Sequence, residues 1–138
     1  MKSLHTLLKV AQRKLDEIAV ESARITQEVA ALNDREAGIR AREQAEIASA
    51  GQDPTFAAML PAYRMRVKQQ IAEVRAQITA KEKALDEIRQ RLSESYIEKS
   101  KFEQLIEQSR VREETERFAR EQAQLDEAAI NRAGGQGK

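Results

Sequence analysis

Cysteine and tryptophan are missing from this chain. That removes any disulfide framework, zinc ribbon or thiol nucleophile, and it fits a reducing compartment. Aromatic residues are scarce, three Phe and two Tyr in 138 residues. Aromatics supply much of the buried area of globular cores, so an ordinary globular core is not expected. Glycine and proline are few, five and two. Charge of one sign is lacking too: 24 basic and 23 acidic residues leave a net charge of +1. Generic nucleic-acid binding needs a stronger basic footprint than that. No apolar run approaches the roughly 18 residues of a membrane-spanning helix. The segment Met1–Lys9 has neither the apolar stretch nor the small-residue cleavage site of a secretory leader.

What remains is rich in Ala, Glu, Arg, Gln and Leu, the profile of long helices or coiled coil. Leu4, Ala11, Ile18, Ile25, Leu32 and Ile39 recur every seven residues. Leu8, Leu15, Ser22, Val29, Glu36 and Glu43 do the same, offset by four. The alternating steps of four and three are a coiled-coil seam. A second seam runs through Val67, Ile71, Val74, Ile78, Lys81, Leu85, Ile88, Leu92, Ser95, Lys99, Phe102 and Ile106. Beyond Ile106 the seam positions turn polar, although Glu113, Arg117, Glu116 and Arg120 are spaced as favourable i,i+4 pairs. Gly38 is a weak point inside the first helix.

Between the seams lies Ser49-Ala50-Gly51-Gln52-Asp53-Pro54. Gly51 suits a left-handed helix terminus, and Asp53-Pro54 reads as an N-cap followed by Pro at the first helical position. Pro61 predicts a kink after a short turn of helix. The expectation is all-α: an antiparallel two-helix coiled-coil hairpin with a long overhanging second helix. It comprises a helix over 3–48, a bend over 49–60, a helix over 61–133 and a flexible tail over 134–138, in one domain. Placing the bend at Gly51–Gln52 predicts pairs whose residue numbers sum to 103, such as Ile18 with Leu85 and Ile25 with Ile78. A shift by a whole heptad preserves the same grid but moves the bend away from Gly51.

Catalysis has little support. His5 is the only imidazole, and the carboxylates lie along helix surfaces beside Arg and Lys. Two packed helices give no pocket to perturb their acidity. The glycines near the C-terminus are not followed by the Lys-Ser/Thr of a phosphate loop. No enzyme activity, cofactor or metal site is expected. Arg64–Lys68 is the densest basic stretch and reads as a solvated helix face. Phe56, Met59, Leu60, Tyr63 and Met65 cluster near the bend, either capping the hairpin tip or offering a protein contact. Leu105, Val111, Phe118 and Leu125 form an incomplete stripe on the overhang, among Arg110, Arg112, Arg117 and Arg120. An unpaired helix of that length is marginal alone: it self-associates, frays or inserts into a partner, and a protein partner is the expectation.

The last third contains Glu98-Lys99-Ser100-Lys101-Phe102-Glu103-Gln104-Leu105-Ile106-Glu107 and Arg120-Glu121-Gln122-Ala123-Gln124-Leu125-Asp126-Glu127-Ala128-Ala129. These segments resemble the C-terminal half of the flagellar export protein FliJ family. The Leu-rich start, the mid-chain bend and the lack of Cys agree with that. The resemblance implies a cytoplasmic, non-catalytic coiled-coil component of bacterial type III protein export, peripheral to the inner membrane at the flagellar base. It implies a stalk-like role on the hexameric export ATPase, and contacts with the export-gate membrane protein, the ATPase regulator and export chaperones. Leu4, Leu8, Arg110, Arg112, Arg117 and Arg120 are then the candidates for the ATPase, and Phe56, Leu60 and Tyr63 for the gate. The free protein is expected to be a monomeric rod. The other readings are a self-associating scaffold, a nucleic-acid-binding hairpin resting on Arg64–Lys68, and the equivalent stalk of a virulence secretion system.

Overall fold

The computed structural model describes residues 2–51 and 53–136. Two helices account for nearly all of them: α1, Lys2–Ala50, and α2, Pro54–Gln136. The chain is all-α, a two-helix hairpin, as the heptads predict. By its contacts it divides into two compact units. One is Leu15–Glu94; the other joins Met1–Lys14 to Ser95–Lys138.

The start of α2 follows from Asp53. Its side-chain Oδ1 accepts the Thr55 N–H at 2.9 Å, and its carbonyl accepts the Ala57 N–H at 3.0 Å. This is an N-cap with Pro54 at the first helical position. Gly51 is not left-handed, because no described glycine has a positive φ. A Cβ there would meet only the Ala48 carbonyl, at 3.7 Å. The α1 terminus is closed instead by the Asp53 N–H donating to the Ala50 carbonyl at 3.3 Å. The Gln52 half of the expected bend lies outside the described residues. Pro61 stands inside α2 rather than at its start. It has no N–H for the Ala57 carbonyl, but the Asp53 cap before it and the seam from Val67 onward hold both sides helical. Gly134, Gly135 and Gln136 belong to α2 instead of an irregular tail. Nothing lies within 4 Å of a Cβ built on either glycine, and the helix propagates through them one hydrogen bond per residue. Gly137 and Lys138 lie outside the described residues.

In the Leu15–Glu94 unit every predicted seam position is buried or half-buried. Ile18, Ile25, Leu85 and Ile88 form its core cluster, with Val29, Ala84 and Leu92 packed against it. Burying side chains of this size contributes about 1.5–3 kcal/mol each. The register, however, is not the one predicted. The cross-helix ion pairs Glu28–Lys81, Glu36–Arg75 and Glu43–Arg64 have residue numbers that sum to 109, 111 and 107. These sums centre one heptad above 103. Residue i of α1 lies level with residue 110 minus i of α2, so Ile25 meets Leu85 rather than Ile78.

The burial pattern carries the same register independently. On α1 the stripe steps from Ile39 to Glu43, Ile47 and Ala50; on α2 it steps from Ile71 to Val67, Tyr63 and Leu60. Each makes two successive steps of four, a stutter in the heptad that locally unwinds a coiled coil. The two stutters coincide only in the observed register. The physical reason for the shift is the asymmetric tip. Because α2 begins at Pro54, its first six residues project past the level of Ala50, and the turning point falls near residue 55 instead of Gly51.

The second unit pairs the start of α1 with α2 in the same sense. Leu4 and Leu8 are half-buried and Ala11 is buried; on α2, Ser95 is buried and Lys99, Phe102, Ile106 and Ser109 are half-buried. Lys14 Nζ stands 3.9 Å from Glu98 Oε2. From Arg110 to Gly135 every residue is exposed. The covered stripe of α2 therefore extends to Ser109, three residues past Ile106. Ser95 is only 3% exposed and its hydroxyl has no hydrogen-bond partner. An unmade hydrogen bond at a buried group costs about 1–3 kcal/mol. The Ser95→Ala protein is therefore expected to be more stable by about 1 kcal/mol, seen as a higher urea midpoint at unchanged slope.

Candidate protein-docking surfaces

Among the described residues no group of His, Cys, Asp and Glu is placed to hold a metal ion, and no helix is long and apolar enough to cross a membrane. The features that stand out are exposed apolar side chains on helix surfaces. Most fall into two sets, one in each unit, while Val20 of α1 stands apart from both.

The first set lies on the uncovered part of α2. Val111, Phe118 and Leu125 are exposed, the last two at 63% and 64%. Their spacing of seven puts them on one face, and Ile97, also exposed, stands two heptads before Val111. That face points away from the seam marked by Lys99, Phe102 and Ile106. Leu105 is exposed on a flank of the seam, as is Leu7 of α1. Val10, Tyr96 and Ile97 were not singled out from the sequence. The repeated heptad through Ile97, Val111, Phe118 and Leu125 was legible, but the stronger seam beside it masked it.

The charged residues around this stripe are not equivalent. Arg110 grips Glu107 with two nitrogens, Nη2 at 2.7 Å and Nε at 3.2 Å, and reaches Glu114 Oε1 from Nη1 at 2.6 Å. The hydrogen bonds from Arg110 hold the Glu107 carboxyl below its ordinary range. Arg112, Arg117 and Arg120 are exposed and form no ion pair among the described residues. The pairs Glu113–Arg117 and Glu116–Arg120 suggested by spacing do not close. Leu4 and Leu8 are half-buried in the seam, which leaves little of either for another protein.

The second set lies at the hairpin tip. Phe56 is 53% exposed, and Met59 and Met65 are exposed with it. Leu60 and Tyr63 are half-buried, because they continue the seam beyond the stutter. A small cavity of about 120 Å³ opens here between Glu46, Ala50, Phe56, Met59, Leu60, Tyr63 and Arg66. Phe56 is open because no residue of α1 reaches its level. Arg64, Lys68, Arg40 and Arg75 line a larger groove with Glu43. Three of these cations are engaged: Arg64 with Glu43 at 3.9 Å, Arg40 with Glu36 at 3.2 Å and Arg75 with Glu36 at 2.7 Å. The densest basic stretch is thus partly neutralised by α1, against a nucleic-acid reading.

Between the two ends of this unit, Glu28 and Glu36 tie the helices together. Lys81 Nζ stands 2.7 Å from Glu28 Oε2 as an ion pair, and Arg75 Nε donates to Glu36 Oε1 at 2.7 Å. The cations Lys81 and Arg75, in turn, lower both carboxyl pKa values below the ordinary 4.5. A depressed folded-state pKa contributes stability that is present above the unfolded value and lost as pH falls through the folded one. The thermal midpoint is expected to be level near neutrality and to drop as pH falls below about 4.5. In the Glu28→Gln, Glu36→Gln protein that drop is shallower. Equal acid limbs in the two proteins, followed by circular dichroism, would show that these pairs contribute nothing.

No curated protein and no solved structure matches the chain closely enough to count as a relative. The family model for the flagellar FliJ protein matches residues 1–138, from one end of the chain to the other. The fold agrees with the coiled coil that the C-terminal segments implied: two helices, and no strand among the described residues. The chain belongs to the flagellar FliJ family and is a component of the flagellar export apparatus.

Proposed function

We propose that this chain is a non-catalytic coiled-coil element that binds the export ATPase ring and links it to the export gate and its chaperones. The observation that supports this most is the uncovered stretch of α2 from Arg110 to Gly135. A helix with no packed face gains little from propensity alone, and this one carries Val111, Phe118 and Leu125 on a regular stripe among free arginines. Such a surface suits another protein better than water. Exposed Arg112, Arg117 and Arg120 offer a ring of ATPase subunits polar contacts that form and break at low cost. Leu105 extends the same surface toward the seam.

The tip is the proposed contact for the membrane-embedded gate, with Phe56 as its anchor. Met59 joins it, whereas Leu60 and Tyr63 support it from within the seam. The protein would work in the cytoplasm against the inner membrane, as a monomer when free.

The experiment is a titration of the purified chain into the export ATPase, following ATP hydrolysis and ring assembly by sedimentation. The full chain is expected to stimulate hydrolysis. A double charge reversal, Arg117→Glu with Arg120→Glu, is expected to cut the apparent affinity at least tenfold while the helical melt stays unchanged. Undiminished stimulation by that variant would remove the distal part of α2 from the ATPase contact.

A further inference from the structure

The apolar grid of the Leu15–Glu94 unit admits two registers, yet the unit occupies one. In the observed register charged side chains enter the seam: Lys81 stands level with Val29, Glu36 with Val74 and Glu43 with Val67. Each of the three is tied across the helices, Lys81 to Glu28 and Glu36 to Arg75 at 2.7 Å, and Glu43 to Arg64 at 3.9 Å. Sliding α1 toward the tip by one heptad, about 10.5 Å at 1.5 Å per residue, keeps the α1 seam residues from Leu15 to Glu36 opposite seam residues of α2. It brings Ile25 opposite Ile78, Val29 opposite Val74 and Leu32 opposite Ile71, three successive apolar layers. It also brings Ile47 level with Phe56, which now has no α1 residue opposite it. The three ion pairs are broken by the slide, and the two stutters no longer coincide.

Polar side chains in a seam select register at some expense in stability, and here they oppose a slide that the apolar layers would accept. We propose that this unit is a two-register device, held in the observed register by the Glu28, Glu36 and Glu43 ion pairs and able to slide by one heptad when they are released. Sliding covers Phe56 with Ile47, so exposure of the aromatic at the tip and closure of the ion pairs along the helices rise and fall together in one equilibrium. A partner that holds Phe56 exposed favours the observed register. A partner whose cations capture Glu28, Glu36 or Glu43 favours the other. This equilibrium belongs to the hairpin itself, whichever protein docks where.

The lack of native cysteine makes the test direct. In the full chain, Leu32→Cys with Ile78→Cys reports the observed register, and Leu32→Cys with Ile71→Cys reports the slid one. Under mild oxidation the first pair is expected to close, and the second to close at least tenfold more slowly. Adding Glu28→Gln, Glu36→Gln and Glu43→Gln is expected to speed closure of the second pair at least tenfold. If that protein stays helical and the second pair closes no faster, the proposal is overturned.

Should the triple substitution unfold the chain, the disulfide between positions 32 and 71 is formed in the background that keeps the three glutamates. The locked protein is expected to retain its helical circular dichroism, and a Phe56→Trp reporter to emit to the blue of the protein locked between positions 32 and 78. Loss of helix, or unshifted emission, overturns the proposal.

Discussion

The Val74→Asp protein is expected to lose its cooperative helical melt at room temperature. Val74 is 2% exposed, the most completely buried large side chain described. The new carboxylate would be level with Glu36, whose own charge is already held by Arg75 and Arg40. Losing the apolar contact and burying a charge beside a like charge together cost about 4 kcal/mol or more. That is a large part of the stability of a small domain. The control is Val20→Asp, on the opposite face of α1 and 70% exposed, which is expected to melt as the parent does. Far-UV circular dichroism against temperature separates the two. A Val74→Asp protein with the parent's midpoint would mean that the seam is not what holds the helices together.

The Pro61→Ala protein is expected to be more stable than the parent. Pro61 is surrounded by α2, from Pro54 to Gln136, so its ring crowds the Ala57 carbonyl and leaves it without a donor. Interior proline costs roughly 3 kcal/mol, offset in part by the stiffness proline lends the unfolded chain, which leaves a net gain of about 2 kcal/mol. The gain is expected as a higher thermal midpoint and as slower amide exchange across Ala58–Arg64. An unchanged midpoint would place the proline in a segment that opens before the rest of the unit.

Most of the seam was legible because a helical period is a local property. Ile18, Ile25, Leu85 and Ile88 had to share a face once both segments were helical, whatever they packed against. The same spacing exposed the end of the stripe, since Glu113, Glu116 and Arg120 occupy seam positions that no core accepts. The candidate surfaces were legible in part. Phe56, Phe118 and Leu125 are exposed. Leu4, Leu8, Leu60 and Tyr63 were harder to place: an apolar residue near a seam end reads the same whether or not the other helix reaches it.

The amino-acid order alone determined that the chain forms two helices, where Asp53 and Pro54 start the second, and which residues turn inward, because caps and periodicity act over a few neighbouring residues. The register was decided only by tertiary structure. A seven-residue pattern is indifferent to a slide of seven. The choice fell to contacts distant in the chain: cross-helix ion pairs such as Glu28–Lys81 and Glu36–Arg75, matched stutters at Ile47 and Tyr63, and a tip in which α2 starts past the end of α1. The exposure of Phe56 follows from that choice, since a side chain becomes a surface only when nothing stands opposite it.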